Sequence, residues 1–154
     1  MGATLRRSGG KRGGAGLVAL TLLVAALAAA CGSSEAKPRE MRQISQTYSF
    51  TISAESLPAH AREPILYKIL IRDRDSREPI ENGEGQIFSS NEEGAKTWDG
   101  LTYGPQIGTY YGKLNYVVAG DWAVAIRFRR DSLSPLERID WRQQVFHERE
   151  TTTK

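Results

Sequence analysis

Strict alternation of apolar and polar residues runs through most of this chain, and that period of two constrains the fold more than any other feature. Tyr48, Phe50 and Ile52 alternate with Thr47, Ser49, Thr51 and Ser53, the pattern of a half-buried strand. Ile65, Tyr67, Ile69 and Ile71 give a second apolar face, with Lys68 and Arg72 opposite. After a turn-rich stretch from Asp73 to Gly85, Ile87 and Phe88 mark a short third strand over Gly85–Ser89. Tyr110, Leu114, Tyr116 and Val118 then alternate with Tyr111, Lys113, Asn115 and Val117. Trp122, Val124, Ile126 and Phe128 follow, with Ala123, Ala125, Arg127 and Arg129 on the other face. Gly120-Asp121 between these runs matches a tight two-residue turn, so the spacing predicts a β-hairpin. The last segment, 135–147, reads two ways. Ile139, Trp141 and Val145 suit a strand, whereas Ser134-Pro135-Leu136-Glu137 resembles a capping box with proline at the first helical position. The strand is favoured, since the rest of the chain is β and Ile, Trp and Val suit sheets. Strands at intervals, separated by turn signals, predict an all-β domain, a small antiparallel sandwich.

The sandwich is expected over residues 47–147, about 100 residues, enough for one modest core. A polar tail, 148–154, follows it. Residues 1–30 have another character. Basic Met1–Ala15 precedes Gly16–Ala30, 15 uncharged and mostly apolar residues, too short for a membrane-spanning helix, which needs about 20. This is the layout of a signal peptide. Residues 31–46 begin with the only cysteine, Cys31, and continue polar, with glycine and proline and no apolar period, as a flexible tether does. The stretch Leu27-Ala28-Ala29-Ala30-Cys31 resembles the lipobox of bacterial lipoproteins, with the leucine one place early. The resemblance implies that Cys31 receives a diacylglycerol thioether and becomes the mature N-terminus. The protein would then be exported and held on the periplasmic or other extracytoplasmic face of a membrane, the outer one favoured where the host has two. A lone cysteine makes no internal disulfide, so lipidation also accounts for its place.

Charge removes one class of partner. The chain carries 21 Lys and Arg against 18 Asp and Glu. Four of the cations, Arg6, Arg7, Lys11 and Arg12, lie in the leader, so from Cys31 onward 17 cations face 18 acids. The basic balance belongs to the leader, and a nucleic-acid partner is not expected.

Several motifs occur in a familiar order. An N-terminal strand is followed by an apolar strand ending in Asp73, a turn Arg77-Glu78-Pro79-Ile80, and Gly108–Ile126 (GTYYGKLNYVVAGDWAVAI). Over about Tyr48–Phe128 this is similar to the FixH/YtkA-like immunoglobulin-type domains of bacterial exported proteins. The resemblance implies an immunoglobulin-like sandwich and, as an alternative function, envelope copper trafficking. Many of those domains carry Met and His before the tyrosine strand. Here that region, Ser89–Ile107, has neither, so the usual copper ligands are missing.

The candidate chemistry is sparse. His60, His147 and Met41 are scattered along the sequence, whereas copper and zinc need several such ligands converging. Asp73, Asp75 and Glu78 cluster between two strands and could offer oxygens to calcium, but Arg72, Arg74 and Arg77 interleave with them. There is no G-x-S-x-G, and no carboxylate pair stands out. No cofactor is implied, and a non-enzymatic binding or assembly module is expected. Trp98, Tyr103, Tyr110 and Tyr111 lie in and beside a segment rich in glycine. They could present aromatic faces to a protein or glycan partner, or Trp98 and Tyr103 could cap the core. Arg127, Arg129, Arg130 and Lys113 could form a basic stripe that meets an anionic surface, or a solvated face paired with acids.

Overall fold

The computed structural model describes residues 39–149. The signal peptide, Cys31, most of the tether and the end of the polar tail lie outside the described residues. Ten strands make up the rest: β1 (Met41–Ile44), β2 (Tyr48–Ala54), β3 (Ala59–His60), β4 (Pro64–Asp73), β5 (Glu84–Asn91), β6 (Lys96–Gly100), β7 (Thr102–Tyr103), β8 (Thr109–Asn115), β9 (Gly120–Arg129) and β10 (Glu137–Phe146). They form two five-stranded sheets, ordered β1-β2-β4-β8-β7 and β3-β10-β9-β5-β6. The domain is therefore an all-β sandwich. It is not wholly antiparallel, because β3 pairs with the end of β10 in parallel, Ala59 with Val145 and His60 with Phe146.

The alternating residues build the core. Tyr48, Phe50 and Ile52 of β2, and Ile65, Tyr67, Ile69 and Ile71 of β4, point inward from the first sheet and are buried. Ile87, Trp122, Val124, Ile126, Phe128, Ile139 and Val145 meet them from the second. Aromatic edges lock the two layers together. Phe128 packs edge-on against Tyr48 and Tyr110, with centroids 5.2 and 5.1 Å apart, an arrangement the ring quadrupoles favour.

The expected hairpin between residues 110 and 128 is not one. Both strands exist, but β8 lies between β4 and β7 in the first sheet, while β9 lies between β10 and β5 in the second. Residues 116–119 carry the chain across the sandwich as an arch, with Tyr116 buried and Gly120 at a φ of 127°. The inward residues Leu114 and Trp122 belong to opposite layers of the core. A period of two reads the same whether two strands lie side by side or face to face.

Two further segments differ from expectation. Met41–Ile44, read as tether, pairs with Ser49–Ile52 as an edge strand. Backbone hydrogen bonds hold it, so its sequence needs little apolar signal. Residues 96–100 and 102–103, in the glycine-rich segment where no strand is expected, are β6 and β7. The chain leaves the second sheet after β6 and enters the first at β7, with Leu101 packed on the core between them. Side chains close this seam: the Lys113 N–H of β8 donates to Asp99 Oδ2 at 2.8 Å, and the Asn115 N–H donates to Thr97 Oγ1 at 3.2 Å.

The last segment is the favoured strand, paired with β9 from Glu137–Phe128 to Val145–Gly120. No helix starts at Pro135, because the capping groups are engaged elsewhere. Ser134 Oγ donates to Asp131 Oδ1 at 3.0 Å, and the Glu137 carboxylate accepts the Thr47 N–H at 3.0 Å.

Candidate binding surfaces

The outer face of the second sheet gathers the most distinctive side chains. Phe88 points outward from β5, opposite Trp98 on β6 and Ala125 on β9. Trp98 is 69% exposed, while Ala125 beneath this layer is buried. One register step along, Arg127 of β9 faces Arg138 of β10. Both guanidinium groups lie over the Phe88 ring, 5.0 and 5.2 Å from its centroid, within cation–π range. Asp140 holds Arg138 through both carboxylate oxygens. Arg127 and Lys96 have no carboxylate partner among the described residues. A shallow groove of about 320 Å³ runs between Phe88, Trp98 and Arg127, with Gln86, Ser90 and Lys96 on its margins.

The four aromatics picked out in the sequence do not share this face. Trp98 lies on it. Tyr110 is fully buried, its hydroxyl donating to the Ile80 carbonyl at 2.8 Å and accepting the Gly83 N–H at 2.9 Å. Burial raises its pKa. Tyr103 packs on Tyr110 at 5.2 Å and accepts the Gly108 N–H. Tyr111, half-buried on the outside of the first sheet, lies against Gly104. The basic stripe is likewise divided. Arg129 pairs with Glu84 and Arg130 with Asp73, while Lys113 belongs to the first sheet. Phe88 and Lys96 were not singled out in the sequence. Adjacent Ile87 and Phe88 were a usable signal, since neighbours in a strand face opposite ways and one apolar residue had to point outward.

The acidic turn is occupied by its own backbone. Asp73 Oδ1 accepts the N–H groups of Asp75 and Ser76, both at 3.0 Å, and Oδ2 accepts from Arg130 at 2.8 Å. The two amides, with Arg130 adding its charge, hold the Asp73 carboxyl below the usual range. Asp75 and Glu78 are exposed. Among the described residues, no three His, Cys, Asp or Glu side chains converge as a metal site. At one corner the His60 ring lies against the backbone of His147, its Nδ1 2.7 Å from the His147 carbonyl oxygen. Met41 packs against the core from β1. Opposite the β6–β8 seam, a cleft of about 500 Å³ opens between the sheets, floored by Ile52, Ala54, Tyr67 and Trp141.

These features define a small β-sandwich with an aromatic, cationic outer face. No family model and no curated protein matches the chain. Among the solved structures similar to it are two bacterial proteins. One is the crystal structure of a DUF4426 family protein from Pseudomonas aeruginosa, with a TM-score of 0.55 and 8% identity over 71% of this chain and 97% of that one. The other is a copper-bound variant of FetP from uropathogenic Escherichia coli, with a TM-score of 0.49 and 10% identity over 76% of this chain and 96% of that one. At 8% identity the likeness to the DUF4426 family protein is one of fold alone.

Proposed function

We propose that this chain is a lipid-anchored module of the bacterial cell envelope, binding through the outer face of its second sheet without chemistry of its own. In this reading Cys31 carries the lipid, and an immunoglobulin-like domain of FixH/YtkA-like type stands on the periplasmic or other extracytoplasmic face. The single observation that carries the binding role is Trp98. A large aromatic is left 69% exposed beside Phe88 and two guanidinium groups stacked on that ring. Exposed aromatics flanked by arginine are the composition of binding hot spots. The leader and its cysteine support the location. Expression with an alkyne fatty-acid analogue tests the anchor: the wild-type protein takes the label and fractionates with membranes, and Cys31→Ala loses both. An unlabelled wild-type protein sinks the anchored reading.

A second reading, envelope metal trafficking, is favoured by the histidine corner. A carbonyl oxygen only accepts, so His60 Nδ1 carries a proton in this bond, and the neutral ring then presents its lone pair on Nε2. Metal-binding histidines are commonly oriented in this way. A thermal-shift panel with Cu(I), Cu(II), Zn²⁺ and Ca²⁺ separates the readings, since an ion that binds only the folded state must raise its stability. A saturable rise that His60→Ala removes favours trafficking. A flat panel from a cooperatively folding protein counts against it.

A further inference from the structure

We propose that the groove between Trp98, Phe88 and Arg127 is a stacking site for an anionic sugar unit, one bearing a carboxylate or sulfate. This rests on the reading of the outer face as a binding surface and gives that surface a ligand class.

Three features converge on this class. The first is shape. Trp98 is the cross-strand neighbour of Phe88 on an open sheet face; two guanidinium groups cover the Phe88 ring, and the Trp98 ring left to solvent beside it suits a flat ring whose C–H bonds lie against it. Leaving so much apolar area in water forgoes a gain of roughly 25 cal/mol per Å² that a stacked ligand would recover. The second is the lining. Gln86 and Ser90 border the groove, an amide and a hydroxyl that can exchange hydrogen bonds with sugar hydroxyls. A plain hydrocarbon chain would leave them unpaired. At about 320 Å³ the groove also stands at the small end of ligand sites.

The third feature is charge. Lys96, Arg127, Arg129, Arg138 and Arg142 lie on this face, against Glu84, Asp121 and Asp140. Glu84 is committed to Arg129 and Asp140 to Arg138. Arg127 remains next to the groove with its guanidinium lying over Phe88. A planar donor held in this way loses little freedom when it pairs with an anion. Lys96 lines the same groove.

The test is titration of the purified protein, by calorimetry, with trigalacturonate, a sulfated disaccharide and neutral maltotriose. Trigalacturonate or the sulfated sugar is expected to bind saturably, and maltotriose at least about tenfold more weakly. The sugar that binds identifies the anion. Trp98→Ala and Arg127→Gln should each weaken binding about tenfold or more while the circular dichroism melt stays cooperative. Because both side chains sit on the outer face, the fold does not depend on them. The proposal is overturned if no sugar binds, if maltotriose binds as well as the acidic sugars, or if Arg127→Gln binds unchanged. The parent reading fails by a separate result: a photocrosslinker at Gln86 captures the same envelope components from cells carrying Trp98→Ala as from wild type.

Discussion

At the scale of single residues, two polar arrangements can be tested directly. The hydroxyls of Tyr67 and Tyr116 meet at 2.7 Å inside the core. Burial pushes the Tyr67 pKa up to about 12 and that of Tyr116 further in the same direction, so both phenols stay protonated at any ordinary pH. Removing one hydroxyl leaves the other short of a partner, which costs about 1–3 kcal/mol. Tyr116→Phe should cost more than Tyr67→Phe, because Tyr116 also has the Ser89 hydroxyl beside it. The double variant should lose less than the sum of the singles, as read by urea unfolding. Asp73 gives a pH signature. Its carboxyl is held below the ordinary range by the Ser76 and Asp75 amides and by Arg130. A group depressed in the folded state contributes stability above its unfolded pKa, and that stability disappears as pH falls through the folded value. Melting temperatures followed into acid should therefore fall for the wild type, and Asp73→Asn should flatten that limb. The sequence displayed Asp73 as an oxygen donor between two strands. That the loop's own amides would take those oxygens depends on backbone geometry, which residue types do not carry.

At the scale of elements, the strands were legible and their partners were not. The alternation at Tyr48–Ile52, Ile65–Ile71 and Trp122–Phe128 locates β2, β4 and β9 because one face of each must be apolar. For β8 and β9, short separation and a glycine turn spoke for a hairpin, but both strands needed the other as cover rather than as neighbour. Gly112 of β8 marks a second close approach across the sandwich, to β5 and Leu101. A Cβ there would meet Ile87 Cγ2 at 2.6 Å and Leu101 Cδ2 at 3.0 Å, so the two layers approach through the missing side chain. Gly112→Val should destabilise the domain by about 1–3 kcal/mol in thermal or urea unfolding. An unchanged melt would mean that the layers slide apart without cost. The edge strands β1, β3, β6 and β7 escaped notice because an edge strand is specified by backbone pairing and by chain path as much as by its own pattern.

At the scale of the whole molecule, the binding face was half legible. Trp98 stood out as a residue and Lys96 lies two places away on the same strand, but Phe88 joins them only through the pairing of β5 with β6, and Arg127 only because β9, distant in sequence, lies beside β5. The same interleaving orders events in time. Every strand of the first sheet lies before residue 116, whereas the second sheet waits for β9 and β10, which end at Phe146. A chain emerging from its N-terminus could thus complete one sheet while the layer meant to cover it was still unsynthesised. Tyr48, Phe50, Ile69 and Ile71 would face water through that interval, a surface on which nascent chains stick to one another. Emergence of β9 and β10 is then the step at which a vulnerable half-molecule becomes a protected one, and the steady-state yield in a cell should respond more to delays there than anywhere upstream.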